Sequence, residues 1–141
     1  MTDPFNLQRF VDAQAPVFAD VVRELAEGEK RSHWMWFVFP QIAGLGLSPT
    51  SLFYAISSLD EAKAYAAHPI LGPRLLECAG LVLAAKDRTA RQVFGSIDEM
   101  KFRSSMTLFS RASPDVAAFG RCLDRFFDGK PDPATLAKLG P

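Results

Sequence analysis

Apolar positions recur at helical spacing along most of the chain, and the polar residues between them supply start and stop signals. Leu7, Phe10, Val11 and Gln14 form a first stripe behind Asp3-Pro4, an N-cap residue followed by the proline that a first helical position tolerates. Pro16 breaks or kinks this run. Val17, Val21, Val22 and Leu25 continue it to Gly28, a residue suited to a helix end. Ser58-Leu59-Asp60-Glu61 and Ser96-Ile97-Asp98-Glu99 both match a capping box. The first predicts a helix to about Ala67, stopped at His68-Pro69 because the residue before proline leaves the α region. The second predicts a helix with Ile97, Met100, Ser104, Thr107 and Leu108 near one inward face. Between them, Leu71, Leu75, Cys78, Ala79 and Val82 mark another helix, and Thr89 is placed to cap a brief turn that Gly95 stops after Phe94. Ser113-Pro114 and Asp132-Pro133 open two more, the first turning Val116, Phe119, Leu123 and Phe126 or Phe127 inward, the second docking through Leu136 and Leu139. These signals predict a mainly α, compact, single-domain multihelical fold spanning 1–141, with about seven helices and at most one or two short strands.

One stretch does not fit this periodicity. In Lys30-Arg31-Ser32-His33-Trp34-Met35-Trp36-Phe37-Val38-Phe39-Pro40-Gln41 the apolar run from Trp34 to Phe39 is continuous and holds both tryptophans. Such a run is either a buried strand or a buried helical turn, and the pattern alone does not choose. Its aromatic surface has to be covered by the rest of the chain. Gly44-Leu45-Gly46-Leu47-Ser48-Pro49 follows as a flexible connection.

Composition narrows the function classes. Sixteen basic and sixteen acidic residues cancel, so the basic footprint of a general nucleic-acid binder is missing. The apolar runs are far shorter than the roughly 20 residues of a membrane helix, and Thr2-Asp3-Pro4 does not begin a signal peptide. Cys78 and Cys122 lie inside helical patterns without metal-ligand spacing, which predicts small, buried, unlinked thiols. The expectation is a cytoplasmic protein that needs no cofactor and no metal.

The candidate chemistry lies at the two ends of the aromatic run and on the Lys101 helix. Lys30, Arg31, Ser32 and His33 lead into the run and Gln41 leaves it, while Lys101, Arg103, Ser104 and Ser105 form a polar patch on an otherwise apolar helix. Aromatic walls with a few convergent polar groups characterise small-molecule sites. Lysine and arginine beside serine hydroxyls suit phosphate oxygens, and tryptophan or tyrosine faces suit a planar base. Trp34, Trp36 and Tyr54 are therefore candidates for stacking, Lys30, Lys101 and Arg103 for phosphate, and His33 or Gln41 for a sugar. The structural alternative is equally concrete. The tryptophans can be core, Lys101 and Arg103 solvated, and Ser104 and Ser105 bonded to carbonyls one turn earlier. Asp60, Glu61, Asp98 and Glu99 are accounted for by helix capping, and the chain has neither a P-loop nor a nucleophile elbow.

Four segments carry a family resemblance. Asp3-Pro4-Phe5-Asn6-Leu7-Gln8-Arg9-Phe10, the stretch Lys30 to Gln41, Tyr54-Ala55-Ile56-Ser57-Ser58-Leu59-Asp60-Glu61-Ala62 and Lys101-Phe102-Arg103-Ser104-Ser105-Met106-Thr107-Leu108-Phe109 resemble the DUF1810 family. The resemblance implies a single, mainly helical domain of uncharacterised function. It also implies a distant likeness in fold to the YbiA-like group with the NADAR domains, which are associated with ADP-ribose-type ligands and cleavage of N-glycosidic bonds. Their catalytic motifs have no counterpart here, so no catalytic residue is carried over, and shared fold is a weak warrant for shared reaction. The calpastatin label given to some members denotes a largely disordered inhibitor, which helix caps and an apolar core oppose. Two functions follow as expectations. One is a domain that binds or hydrolyses a nucleotide or ADP-ribose-like N-glycoside. The other is a non-catalytic binding or protein-interaction domain with the aromatic segment as its structural core.

Overall fold

The computed structural model describes residues 3–140. Helix accounts for 64% of the described residues, in nine helices, and no strand is present among them. They are α1 (Gln8–Gln14), α2 (Phe18–Ala26), α3 (Met35–Val38), α4 (Pro49–Phe53), α5 (Leu59–Ala67), α6 (Leu71–Ala84), α7 (Ala90–Ala112), α8 (Ala117–Phe127) and α9 (Pro133–Leu139). The expected short strands reduce to one parallel bridge between Ile42 and Ile56, which ties the segment after α3 to the segment before α5. Among the described residues no helix is long and apolar enough to cross a membrane.

The cap signals are read correctly at three of six predicted starts, Ser58, Thr89 and Asp132. Ser58 Oγ accepts the Glu61 N–H at the start of α5, and Asp132 does the same for Thr135 at the start of α9, with Pro133 in the first turn. Elsewhere the helix begins later than the signal. The Asp3 carboxylate reaches past a turn at Asn6, whose φ is 52°, to accept the N–H groups of Leu7 and Gln8, so α1 starts at Gln8. Ser113 ends α7, and α8 starts at Ala117. The second capping box does not form. Thr89 and Gln92 cap α7 reciprocally instead, and the helix is interrupted at Gly95, where φ is 86°. Only glycine adopts that backbone without penalty.

After this break α7 becomes the central helix. Residues 102 and 104–109 are buried on every side, as expected of a helix enclosed by neighbours. α5 and α8 pack against it, and α9 covers the face carrying Ser104. The break resets the helical register. Ile97 and Met100, expected inside, are 73% and 68% exposed on the protruding first turns.

The continuous aromatic run is resolved as one buried helical turn. Trp34, Met35, Val38 and Phe39 face the core, while Trp36 and Phe37 take the other side. Phe39 meets Phe102 edge-on with centroids 5.0 Å apart, and Phe94 stacks on Phe102 at 4.7 Å. The α3 turn thus plugs directly into α7, which is how the aromatic segment and the Lys101 segment become neighbours.

Two buried carboxylates hold the connecting loops. Glu61 pairs with Arg9 at 2.8 Å, the two side chains being 3% and 9% exposed. The same guanidinium donates to the carbonyls of Phe53 and Ala55, so Glu61 fastens α1 and the loop before α5 rather than completing a capping box. Glu24 lies beneath the aromatic segment, where it accepts the N–H groups of Arg31 and Ser32, the Ser32 hydroxyl and the Trp34 indole N–H. Burial opposes its charge, but these four donors outweigh burial and hold its pKa down at about 2.

Candidate functional site

Because Glu24 fixes residues 31–34, the direction of each side chain in the aromatic segment is set. Trp34 points inward and is 1% exposed, with its indole N–H spent on Glu24 at 3.0 Å. Trp36 points outward and is half-buried, and the Lys101 ammonium sits 4.8 Å from its ring centroid. Lys101 also approaches Asp98 at 3.3 Å, and Asp98 approaches Lys30 at 2.9 Å. The Lys30 ammonium in turn lies 5.2 Å from the Trp34 ring. A chain Lys30–Asp98–Lys101 therefore spans the α3 and α7 segments, with one tryptophan under each lysine.

Lys101 is the common wall of two clefts. On one side a cleft of about 370 Å³ is lined by Lys30, His33, Met35, Trp36, Asp98, Lys101 and the residues around the Gly95 break. On the other side a cleft of about 280 Å³ is lined by Gln41, Leu45, Gly46, Ser51, Met100, Lys101, Ser104, Asp132 and Ala134. Behind Trp36 a cavity of about 10 Å³, bordered by Gln41 and Tyr54, has room for about one water molecule. Gly44, with φ at 99°, lets the loop turn beneath the Lys138 side chain, whose Cε would stand 2.9 Å from any added Cβ.

Of the candidate residues, the structure brings Lys30, His33, Trp36, Gln41, Lys101 and Ser104 to these clefts, with Tyr54 at the small cavity. It does not bring Trp34, Arg103 or Ser105. Trp34 is core. Arg103 donates to the carbonyls of Lys130 and Pro131 at 2.9 and 3.1 Å and clamps the loop before α9. Ser105 is fully buried, and its hydroxyl is the one buried side-chain oxygen or nitrogen without a partner among the described residues. Neither serine bonds the carbonyl one turn earlier. The Ser104 hydroxyl pairs with Thr135 at 2.8 Å, and it is Thr107 that bonds back to Arg103.

Sequence reasoning missed Asp98, which it assigned to a cap. The Ser96 box does not form, its Glu99 carboxylate being bound to Arg91, and the Asp98 carboxylate meets Lys101 three residues on and Lys30 from the other segment. The i, i+3 spacing to Lys101 is visible in the sequence; the contact with Lys30 is not. Among the described residues no group of three or more His, Cys, Asp or Glu is placed to hold a metal ion. Cys78 and Cys122 are free and buried, and burial raises both thiols to about 12, far from nucleophilic reactivity.

The family model described as "Protein of unknown function (DUF1810)" matches residues 4–139. The crystal structure of the conserved hypothetical protein Rv1873 from Mycobacterium tuberculosis is similar at 53% identity, with a TM-score of 0.96, covering 97% of this chain and 98% of the other. No curated protein matches the chain.

Proposed function

The chain belongs to the DUF1810 family, and from that premise we propose that it is a small-molecule-binding domain whose ligand combines a planar ring with a phosphate, as in a nucleotide or an ADP-ribose-like compound. The observation that carries this reading is the half-buried Trp36 beneath Lys101, at the junction of two clefts. A ring can stack on exposed indole surface there while the ammonium meets an adjacent anion. His33 in the larger cleft and Gln41 in the smaller supply hydrogen bonds for a sugar. The placement in the YbiA-like fold group is part of this proposal and is the reason ADP-ribose joins the panel below.

Binding is better supported than hydrolysis. Cleavage of a glycosidic bond uses two carboxyl groups in distinct roles. Asp98 is held between two lysines, and Asp132 accepts from the Thr135 N–H and hydroxyl. The reading is tested by thermal shift and tryptophan fluorescence with a panel of nucleotides and ADP-ribose. Binding should quench Trp36 emission, and Lys101→Ala should weaken it while melting close to wild type, since a partly exposed ion pair at 3.3 Å contributes only about 1 kcal/mol. If no panel member shifts the melting temperature or the emission, the reading is wrong.

A second reading has its own observation. Leu47, Ile97 and Met100 are 86%, 73% and 68% exposed, and Ile97 and Met100 border the clefts. In a protein-interaction domain these would be the contact residues. Ile97→Ser with Met100→Ser would then abolish association while the circular dichroism spectrum and melting temperature stay close to wild type.

A further inference from the structure

The three charges of the larger cleft are not equivalent. The Lys30 side chain is 8% exposed, its backbone N–H is bonded to the Val93 carbonyl at 2.8 Å, and its ammonium lies against the Trp34 ring. Trp34 is itself immobilised by Glu24. A cation so enclosed requires a nearby anion, and the Asp98 carboxylate supplies it at 2.9 Å. The second oxygen of Asp98 is 3.3 Å from Lys101, whose side chain is 22% exposed and rests on the outward face of Trp36. Lys101 can thus turn towards a ligand without leaving a buried charge unmatched, whereas Lys30 cannot. Asp132 on the far side of Lys101 adds a second carboxylate to the surroundings.

We infer that Asp98 is the charge selector of this site: it neutralises Lys30, leaves Lys101 as the single cation available to a ligand, and so selects planar-ring ligands carrying one singly charged acidic group over polyphosphates. The inference rests on the binding reading above and specifies the ligand class of that site. A triphosphate brings charges that the cleft cannot match, and those left beside Asp98 and Asp132 are repelled. Asp98→Asn frees Lys30 as a second cation and removes the repulsion.

Two measurements test this, one of them free of any ligand. In a double-mutant cycle on melting temperature, Lys30→Met and Asp98→Asn should each lower it by several degrees, and the double variant should regain most of the loss. Lys101→Met should change it little. A Lys101–Asp98 coupling as large as the Lys30–Asp98 coupling would overturn the assignment of roles. The second measurement titrates 3′,5′-cyclic AMP, AMP, ADP and ATP by calorimetry at pH 8, above the ordinary range of histidine. The ring is constant and the charge rises. Wild type should bind cyclic AMP at least as well as ATP, and Asp98→Asn should reverse the order with a gain for ATP on the order of tenfold. Should Asp98→Asn fold too poorly to titrate, Lys30→Met/Asp98→Asn replaces it. That variant keeps Lys101 as sole cation, so it should keep the wild-type order, and a preference for ATP there would refute the selector. Wild-type affinity that climbs steadily from cyclic AMP to ATP refutes the selector but leaves the binding site standing. Absence of binding by every member removes the binding site instead, and the thermal cycle then decides the charge assignment by itself.

Discussion

Glu24 offers the sharpest test of how the aromatic segment is held. Its carboxylate gathers four donors within 3.0 Å, at 2.7 Å from the Arg31 N–H, 3.0 Å from the Ser32 N–H, 2.5 Å from the Ser32 hydroxyl and 3.0 Å from the Trp34 indole. Truncation to alanine does not forfeit four full hydrogen bonds. Arg31 and Ser32 are exposed, so their donors can turn to water, whereas the Trp34 indole is enclosed and stays unpaired. A buried donor without a partner costs about 1–3 kcal/mol, and the lost packing and loop order bring the expected loss for Glu24→Ala to about 2–4 kcal/mol. At roughly 3–5 °C per kcal/mol for a chain of this size, the melting temperature should fall by about 6–20 °C. Glu24→Gln keeps one acceptor but turns an amide N–H₂ towards donors, so it should recover only part of the loss. The charge leaves a second signature. The folded-state pKa of about 2 lies below the ordinary value of 4.5, so the stabilisation is complete above the ordinary carboxylate range and is lost as pH falls from there towards about 2. The difference in stability between wild type and Glu24→Gln should therefore be constant near neutrality and shrink in that window. Melts by circular dichroism from pH 2 to 7 measure both effects. A Glu24→Gln protein that melts like wild type, or a difference that does not shrink on acidification, would refute the reasoning.

The other expectations follow from the same kind of accounting. Arg9→Ala should cost about 3–5 kcal/mol in denaturant melts, because it strands the buried Glu61 carboxylate and frees the carbonyls of Phe53 and Ala55; Arg9→Ala/Glu61→Gln should recover part of that loss. The two tryptophans should separate cleanly. Trp34→Ala removes a core residue and should cost about 3–5 kcal/mol, whereas Trp36→Ala, at the half-buried cleft face, should cost clearly less and instead abolish ligand-induced quenching. Cys78 and Cys122 should react with a thiol reagent only after unfolding, two thiols per chain without reductant, since both are buried and unlinked; fast reaction of the native protein would contradict the packing of α6 against α8.

Much of this protein follows from local sequence rules. The starts at Ser58 and Asp132 and the Thr89 cap depend on a side chain satisfying backbone groups a few residues away, and the stop at Gly95 on the positive φ that glycine adopts, so a reader of the sequence can find them. The two unlinked cysteines were legible for a different reason, as small apolar positions inside helical patterns. Tertiary structure alone decided the rest. Whether the run from Trp34 to Phe39 became a strand or a helical turn depended on what α7 could receive, and the turn then sent Trp34 to the core and Trp36 to the cleft. Lys101 and Arg103 look interchangeable in the sequence, yet two positions on a helix face different partners, so one borders the cleft and the other clamps the loop before α9. Asp98 and Glu61 sit in capping positions on paper but are drawn into ion pairs with Lys30 and Arg9, which lie 68 and 52 residues away along the chain. Capping is a contest among neighbours, and its outcome changes when folding delivers a buried cation that has no other counter-charge.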